Sequence, residues 1–116
     1  MIRVIFRVRP DGGCSLAFRG HAGAGPYGAD LVCAGVSALA LTAAKGAQRL
    51  FDRGDLLRRP RVDVRSGRIT VIAVPKEPGG VRLRQMFDTV CAGVEVLAQL
   101  YPEYVEFRGA DMGGEI

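Results

Sequence analysis

The sequence predicts an α+β two-layer sandwich: a mostly antiparallel five-stranded sheet with two helices on one face, in the order β-β-α-β-β-α-β. Three observations carry this. Short stretches near residues 2–8, 14–19, 61–65, 69–74 and 104–108 are either alternating or continuously apolar, as strands with a buried face are. Two long stretches, near 30–51 and 81–101, repeat apolar residues every three or four positions. Clusters of glycine and proline separate them, and strand pairs that alternate with helices in this way favour one sheet covered on one side.

In the first strand Ile2, Val4, Phe6 and Val8 alternate with Arg3, Ile5, Arg7 and Arg9. Pro10-Asp11-Gly12-Gly13 supplies a turn, and Cys14, Leu16 and Phe18 then alternate with Ser15, Ala17 and Arg19, so the two strands should form an antiparallel hairpin. Cys14 falls on the core side, where a thiol behaves as a small hydrophobe. Residues 20–28 hold four glycines and a proline and read as an irregular loop. The first helix is expected from Ala29 or Asp30 to about Phe51, with Asp30 at the N-cap or in the first turn. Val32, Val36, Leu39, Ala43 and Leu50 would pack on the sheet. Most other positions up to Ala44 are also apolar or small, so the helix is either central in its domain or covered by a partner, and a homodimer contact is expected here.

Gly54 stops this helix. Arg61 to Arg65, the Ser66-Gly67 turn and Ile69 to Val74 form a second hairpin, and Pro75, Pro78, Gly79 and Gly80 break the chain after it. Val81, Leu83, Met86 or Phe87, Val90, Val94, Leu97 and Tyr101 mark a second amphipathic helix, ended by Pro102. Tyr104 to Arg108 is the last strand. Residues 1–108 therefore read as a single domain, and 109–116 as a flexible C-terminal tail. Val32-Cys33-Ala34-Gly35-Val36 recurs as Val90-Cys91-Ala92-Gly93-Val94, and the same offset aligns Val4 and Phe6 with Val62 and Val64. The echo reads either as an old duplication or as chance in an alanine-rich chain.

Composition narrows the function classes. With 116 residues, 48% of them hydrophobic and 24% charged, the chain can bury a real core. The alternating N-terminus lacks the apolar run of a signal peptide, and the uncharged stretch from Leu31 to Ala44 is shorter than a membrane span, so a cytoplasmic protein is expected. Cysteines at 14, 33 and 91 with one histidine make neither a disulfide framework nor a zinc pattern; reduced thiols, no metal and no cofactor are expected. The formal net charge of +4 is carried mainly by arginine. Arg3, Arg7, Arg9 and Arg19 fall on the hairpin face away from the helices, where they are either solvated or set against RNA.

The chemistry concentrates in the loop that joins the only histidine, His21, to Cys33. A thiol near a helix start lies close to unpaired backbone N–H groups, which favour thiolate, and a histidine on the preceding loop can fold back to take its proton. Cys91 has the same neighbours but no histidine or glycine loop before it, and reads as core. Ser37, one turn beyond Cys33, either bonds to the thiol or substrate or returns its hydroxyl to a helix carbonyl. Backbone N–H groups of Cys33 and Ala34 would hold an oxyanion.

Gly20-His21-Ala22, followed by Asp30-Leu31-Val32-Cys33-Ala34-Gly35-Val36-Ser37, resembles the signature of the ribosomal-processing cysteine protease family Prp. The element order and Tyr101-Pro102 before the last strand are similar too, so the likeness covers nearly the whole chain. The resemblance implies that His21 and Cys33 form a catalytic dyad, with Gly20, Ala22, Asp30, Ala34 and Ser37 at supporting or substrate-binding positions. It also implies that the enzyme removes an N-terminal extension from a bacterial large-subunit ribosomal protein, and that it is a homodimer. The alternative is a non-enzymatic ribosome-associated or RNA-binding module that uses the Arg-rich sheet face and treats Cys33 as packing.

Overall fold

The computed structural model describes residues 1–21, 26–76 and 80–109, with 26–30 described by their backbone. The chain runs β1 (Ile2–Val8), β2 (Cys14–Arg19), α1 (Pro26–Asp52), β3 (Arg61–Arg65), β4 (Arg68–Ala73), α2 (Val81–Leu100), β5 (Val105–Arg108). The sheet order is β3-β4-β2-β1-β5, antiparallel except where β5 lies parallel to β1. This is the expected α+β sandwich. The tail expected over 109–116 lies, past Gly109, outside the described residues.

One face of each strand builds the core. Ile2, Val4 and Phe6 of β1, Leu16 and Phe18 of β2, and Val71 and Ala73 of β4 are buried beneath the helices. From α1, Val32, Val36, Ala40, Ala43, Ala47 and Leu50 meet them at helical spacing, as do Leu83, Phe87, Val90 and Val94 from α2. Phe87, fully buried, stacks on Phe6 with ring centroids 5.7 Å apart. By length and composition alone, Leu31–Asp52 could cross a membrane. Its buried stripe sets it against the sheet instead, while Leu31 and Leu41 on the same helix are exposed.

The α1 N-terminus departs from the sequence reading. The helix begins at Pro26, so Pro26, Tyr27 and Gly28, expected in the loop, are helical, and Asp30 lies inside the helix rather than at its N-cap. Proline suits a first helical position because its missing N–H has no intrahelical partner there and its φ is already helical. At the other end Gly54, with φ +84°, closes the helix as expected. Its N–H donates to Phe51 O (2.9 Å) and that of Asp55 to Leu50 O (2.9 Å), the paired bonds of a Schellman motif.

The internal echo has a structural counterpart. A Cβ on Gly35 would lie 3.3 Å from Leu97 Cδ1, and one on Gly93 would lie 2.7 Å from Leu39 Cδ2. Leu39 and Leu97 are separated by the same offset as the two glycines, so each helix offers a glycine notch to the other's leucine. Together with the antiparallel seam between β2 and β4, this is the arrangement that a two-fold relation between two β-β-α halves generates.

Candidate active site

His21 is placed by the end of β2. The last β2–β4 pair is Arg19 with Arg68, and Gly20 continues the ladder by donating its N–H to Gly67 O (2.8 Å). Gly20 has φ +96°, and a Cβ there would collide with Met1 O, so both the turn and the close approach of the first residue call for glycine. The terminal amine of Met1 then donates to the His21 carbonyl at 2.7 Å. These contacts fix the backbone on both sides of the residue. The imidazole is exposed and lies over Gly67 in the β3–β4 turn: a Cβ at that glycine would stand 2.6 Å from Nε2 and 3.2 Å from Cε1.

Cys33 approaches from the other layer. It is half-buried on α1 and shares a cleft of about 190 Å³ with Gly20, His21 and Ser37. Ile2, Phe18, Val36 and Ile69 also line the cleft, as do Arg65, Gly67 and Arg68 of the second hairpin. Larger hollows, such as one of about 540 Å³ between the C-terminal part of α1 and the start of α2, contain neither His21 nor a cysteine. The cleft thus combines a nucleophile type, a base type and an apolar wall, which is the equipment of acyl transfer.

Other expectations need correction. Cys33 lies two turns inside α1, not in its first turn, so the unpaired N–H groups at the helix start belong to residues before it. By the same geometry the N–H groups of Cys33 and Ala34 are committed to the helix ladder and cannot form the oxyanion hole. Ala34 is exposed and outside the cleft lining. Ala22 lies outside the described residues, and so does the side chain of Asp30. Sequence reasoning missed Gly67, Arg65 and Arg68 at this site. The Ser66-Gly67 turn signal was visible, but only the β2–β4 pairing carries that turn to His21.

The remaining thiols occupy different surroundings. Burial pushes the Cys14 thiol up to about 11, an effect only partly offset by Arg84, and Cys14 is 1% exposed. Burial likewise pushes Cys91 up to about 12, reinforced by Asp88 and Glu95, and Cys91 is 5% exposed. Both are core cysteines, as expected from their places in β2 and α2.

The family model described as Cysteine protease Prp matches residues 1–106. Among solved structures, the chain is similar to SMU.848 from Streptococcus mutans, with 28% identity, TM-score 0.68, and coverage of 95% of this chain and 94% of that one. It also shares its fold with a protein from S. aureus described as an essential ribosomal processing protease Prp. That protein was solved with a covalently linked product peptide (24% identity, TM-score 0.67, 94% and 99% covered) and with a substrate peptide (22%, 0.66, 94% and 99%). No curated protein matches this chain.

Proposed function

Because this chain belongs to the Prp family of cysteine proteases, we propose that His21 and Cys33 are its catalytic pair and that its substrate is the N-terminal extension of a bacterial large-subunit ribosomal protein. The single observation that carries the pairing is the cleft: the only histidine of the chain and its one half-buried cysteine line the same hollow, while the other two thiols are enclosed in the core. The substrate reading is supported by the description of the S. aureus relative as a ribosomal processing protease. Membership of a protease family displaces the non-enzymatic alternative as an account of the activity.

In the proposed mechanism His21 takes the Cys33 proton and the thiolate attacks the scissile carbonyl carbon. The tetrahedral intermediate collapses as imidazolium protonates the leaving amine, leaving the N-terminal extension as a thioester on Cys33. A water, deprotonated by the same imidazole, then releases it. An imidazole can accept a proton in one step and give it up in the next, so one ring serves both. Ser37, exposed beside Cys33 in the cleft, would hydrogen-bond the substrate backbone. Ile2, Phe18 and Ile69 offer apolar surface to side chains flanking the cut.

The same reading includes a cytoplasmic enzyme that works as a homodimer. Exposure of Leu31 (68%) and Leu41 (53%) alongside Ala34 and Ala38 on the outer side of α1 supports the dimer, since a soluble helix usually keeps such leucines inward or under a partner. Incubation of the extended ribosomal protein with purified enzyme, read by mass spectrometry, tests the function. A shortened product from wild type and none from folded Cys33→Ala is the expected result. Cutting by Cys33→Ala at the wild-type rate would remove Cys33 from the mechanism.

A further inference from the structure

Among the described residues, helices cover only one face of the sheet, and the other face carries a charge pattern that the protease reading does not use. In the pairing registers Arg65 stands opposite Arg68, Arg68 opposite Arg19, and Arg19 opposite Arg3, so four arginines form one row across four adjacent strands. Neighbouring strands are about 4.8 Å apart, which brings these side chains as close as a sheet allows, and like charges directly opposite one another destabilise it. Arg7, Arg61 and Arg108 occupy further positions of the same face. All seven are exposed.

Acidic residues of the strands do not balance them. Within the strands, the outward positions hold only two carboxylates, Asp63 and Glu106. Asp63 pairs with Arg65 at 3.2 Å, and Glu106 is shared between Arg3 (3.3 Å) and Arg108 (3.4 Å). Arg7, Arg19, Arg61 and Arg68 have no ion pair among the described residues. Among the strand residues, seven guanidinium groups against two carboxylates leave this face five positive charges, more than the +4 of the whole chain. The remainder of the molecule is close to neutral. Arg9, expected with this group, lies beyond β1 and is paired with Asp11.

We propose that this outer sheet face binds the phosphate backbone of RNA and holds the enzyme against an RNA-bound substrate. Guanidinium groups match phosphate oxygens bidentately, and an extended, unbalanced positive surface is the electrostatic footprint of backbone binding. An anion along the row also relieves the repulsion between Arg19 and Arg68. The choice of RNA over an acidic polypeptide rests on the proposed substrate, a ribosomal protein, which is itself an RNA-binding protein. The row ends at the catalytic cleft, because Arg65 and Arg68 line both. RNA on this face therefore lies beside the peptide to be cut.

The test uses Cys33→Ala protein, so that binding is separated from cleavage, and a fluorescein-labelled RNA hairpin read by anisotropy. Contacts from the four unpaired arginines give a log K against log salt slope of about −3 to −4, an affinity loss of about 10²-fold between 50 and 200 mM salt. In the same background, the triple variant Arg7→Ala, Arg19→Ala, Arg61→Ala should reduce the slope to about −1 and weaken binding at low salt. It replaces no residue that lines the cleft, so in the Cys33 enzyme it should cut a short substrate peptide at the wild-type rate. Its thermal unfolding, measured in parallel, shows whether the sheet is intact. No RNA binding at 50 mM salt, or unchanged binding by the folded triple variant, overturns the proposal. Stronger binding of poly-glutamate than of RNA, lost in the triple variant, also overturns it in favour of an acidic protein partner. Failure in any of these arms leaves peptide cleavage unaffected, whereas failure of the protease reading appears in the cleavage arm alone.

Discussion

Replacing Gly67 by alanine isolates the contribution of the surface on which His21 rests. Gly67 has φ +71°, and an L-residue there costs about 1–2 kcal/mol of backbone strain. The new methyl would stand 2.6 Å from His21 Nε2, where ordinary carbon contacts begin near 3.5 Å, so the ring must shift by about 1 Å. A misplacement of that size in a catalytic group can cost about 10²-fold in rate. Gly54→Ala is the matched control: its φ is +84°, so the backbone strain is similar, but no atom lies within 4 Å of the added carbon. Both variants should lose about 1–2 kcal/mol in denaturant unfolding, and only Gly67→Ala should lose kcat/KM on a peptide spanning the cut. Equal kcat/KM for the two would refute the reasoning, since it would show that His21 works from a position that does not depend on Gly67.

Alkylation near pH 8 followed by peptide mapping should label Cys33 first: thiols held near 11 and 12 are thiolate in about one molecule in a thousand or fewer at that pH, and Cys14 and Cys91 are also enclosed. Faster labelling of Cys91 would contradict the assignment. Raising the pH through 9 should bring the two core thiols into reaction only as unfolding admits reagent and water. His21→Ala and Cys33→Ala should each abolish processing, with the double variant hardly worse than either, because groups acting in one step are not additive. Cys33→Ala should change stability by at most about 1–2 kcal/mol, since alanine suits a helix and the thiol is only half-buried. Sedimentation at micromolar concentration should give about twice the 12.4 kDa chain mass, and Leu31→Asp with Leu41→Asp should return it to the monomer value. A wild-type protein that stays monomeric across the accessible range would remove the dimer and leave the dyad intact.

The local elements were legible because each is written in short-range terms. Alternation from Ile2 to Phe18 sets the first hairpin, three-to-four spacing sets both helices, and Gly54 needs only its own φ to stop α1. The candidate pair His21 and Cys33 was legible for a related reason: the chain has one histidine, and the glycine-rich stretch around it is unlike any other. Even locally the α1 start differs from the sequence pattern, because a dense run of glycines masks the proline at its first position. What the sequence could not determine depends on strand order and register, which join residues far apart in the chain. Pairing of β2 with β4 brings Gly67 under the ring of His21 and Arg68 beside Arg19, across some fifty residues of sequence. Helix crossing decides that Gly93 receives Leu39 while Gly35 receives Leu97, which the repeated pentapeptide alone left between duplication and chance. Periodicity reports which face of an element is buried; only the packed sheet decides which residues share that face, and so where a cleft and an unbalanced row of charge come together.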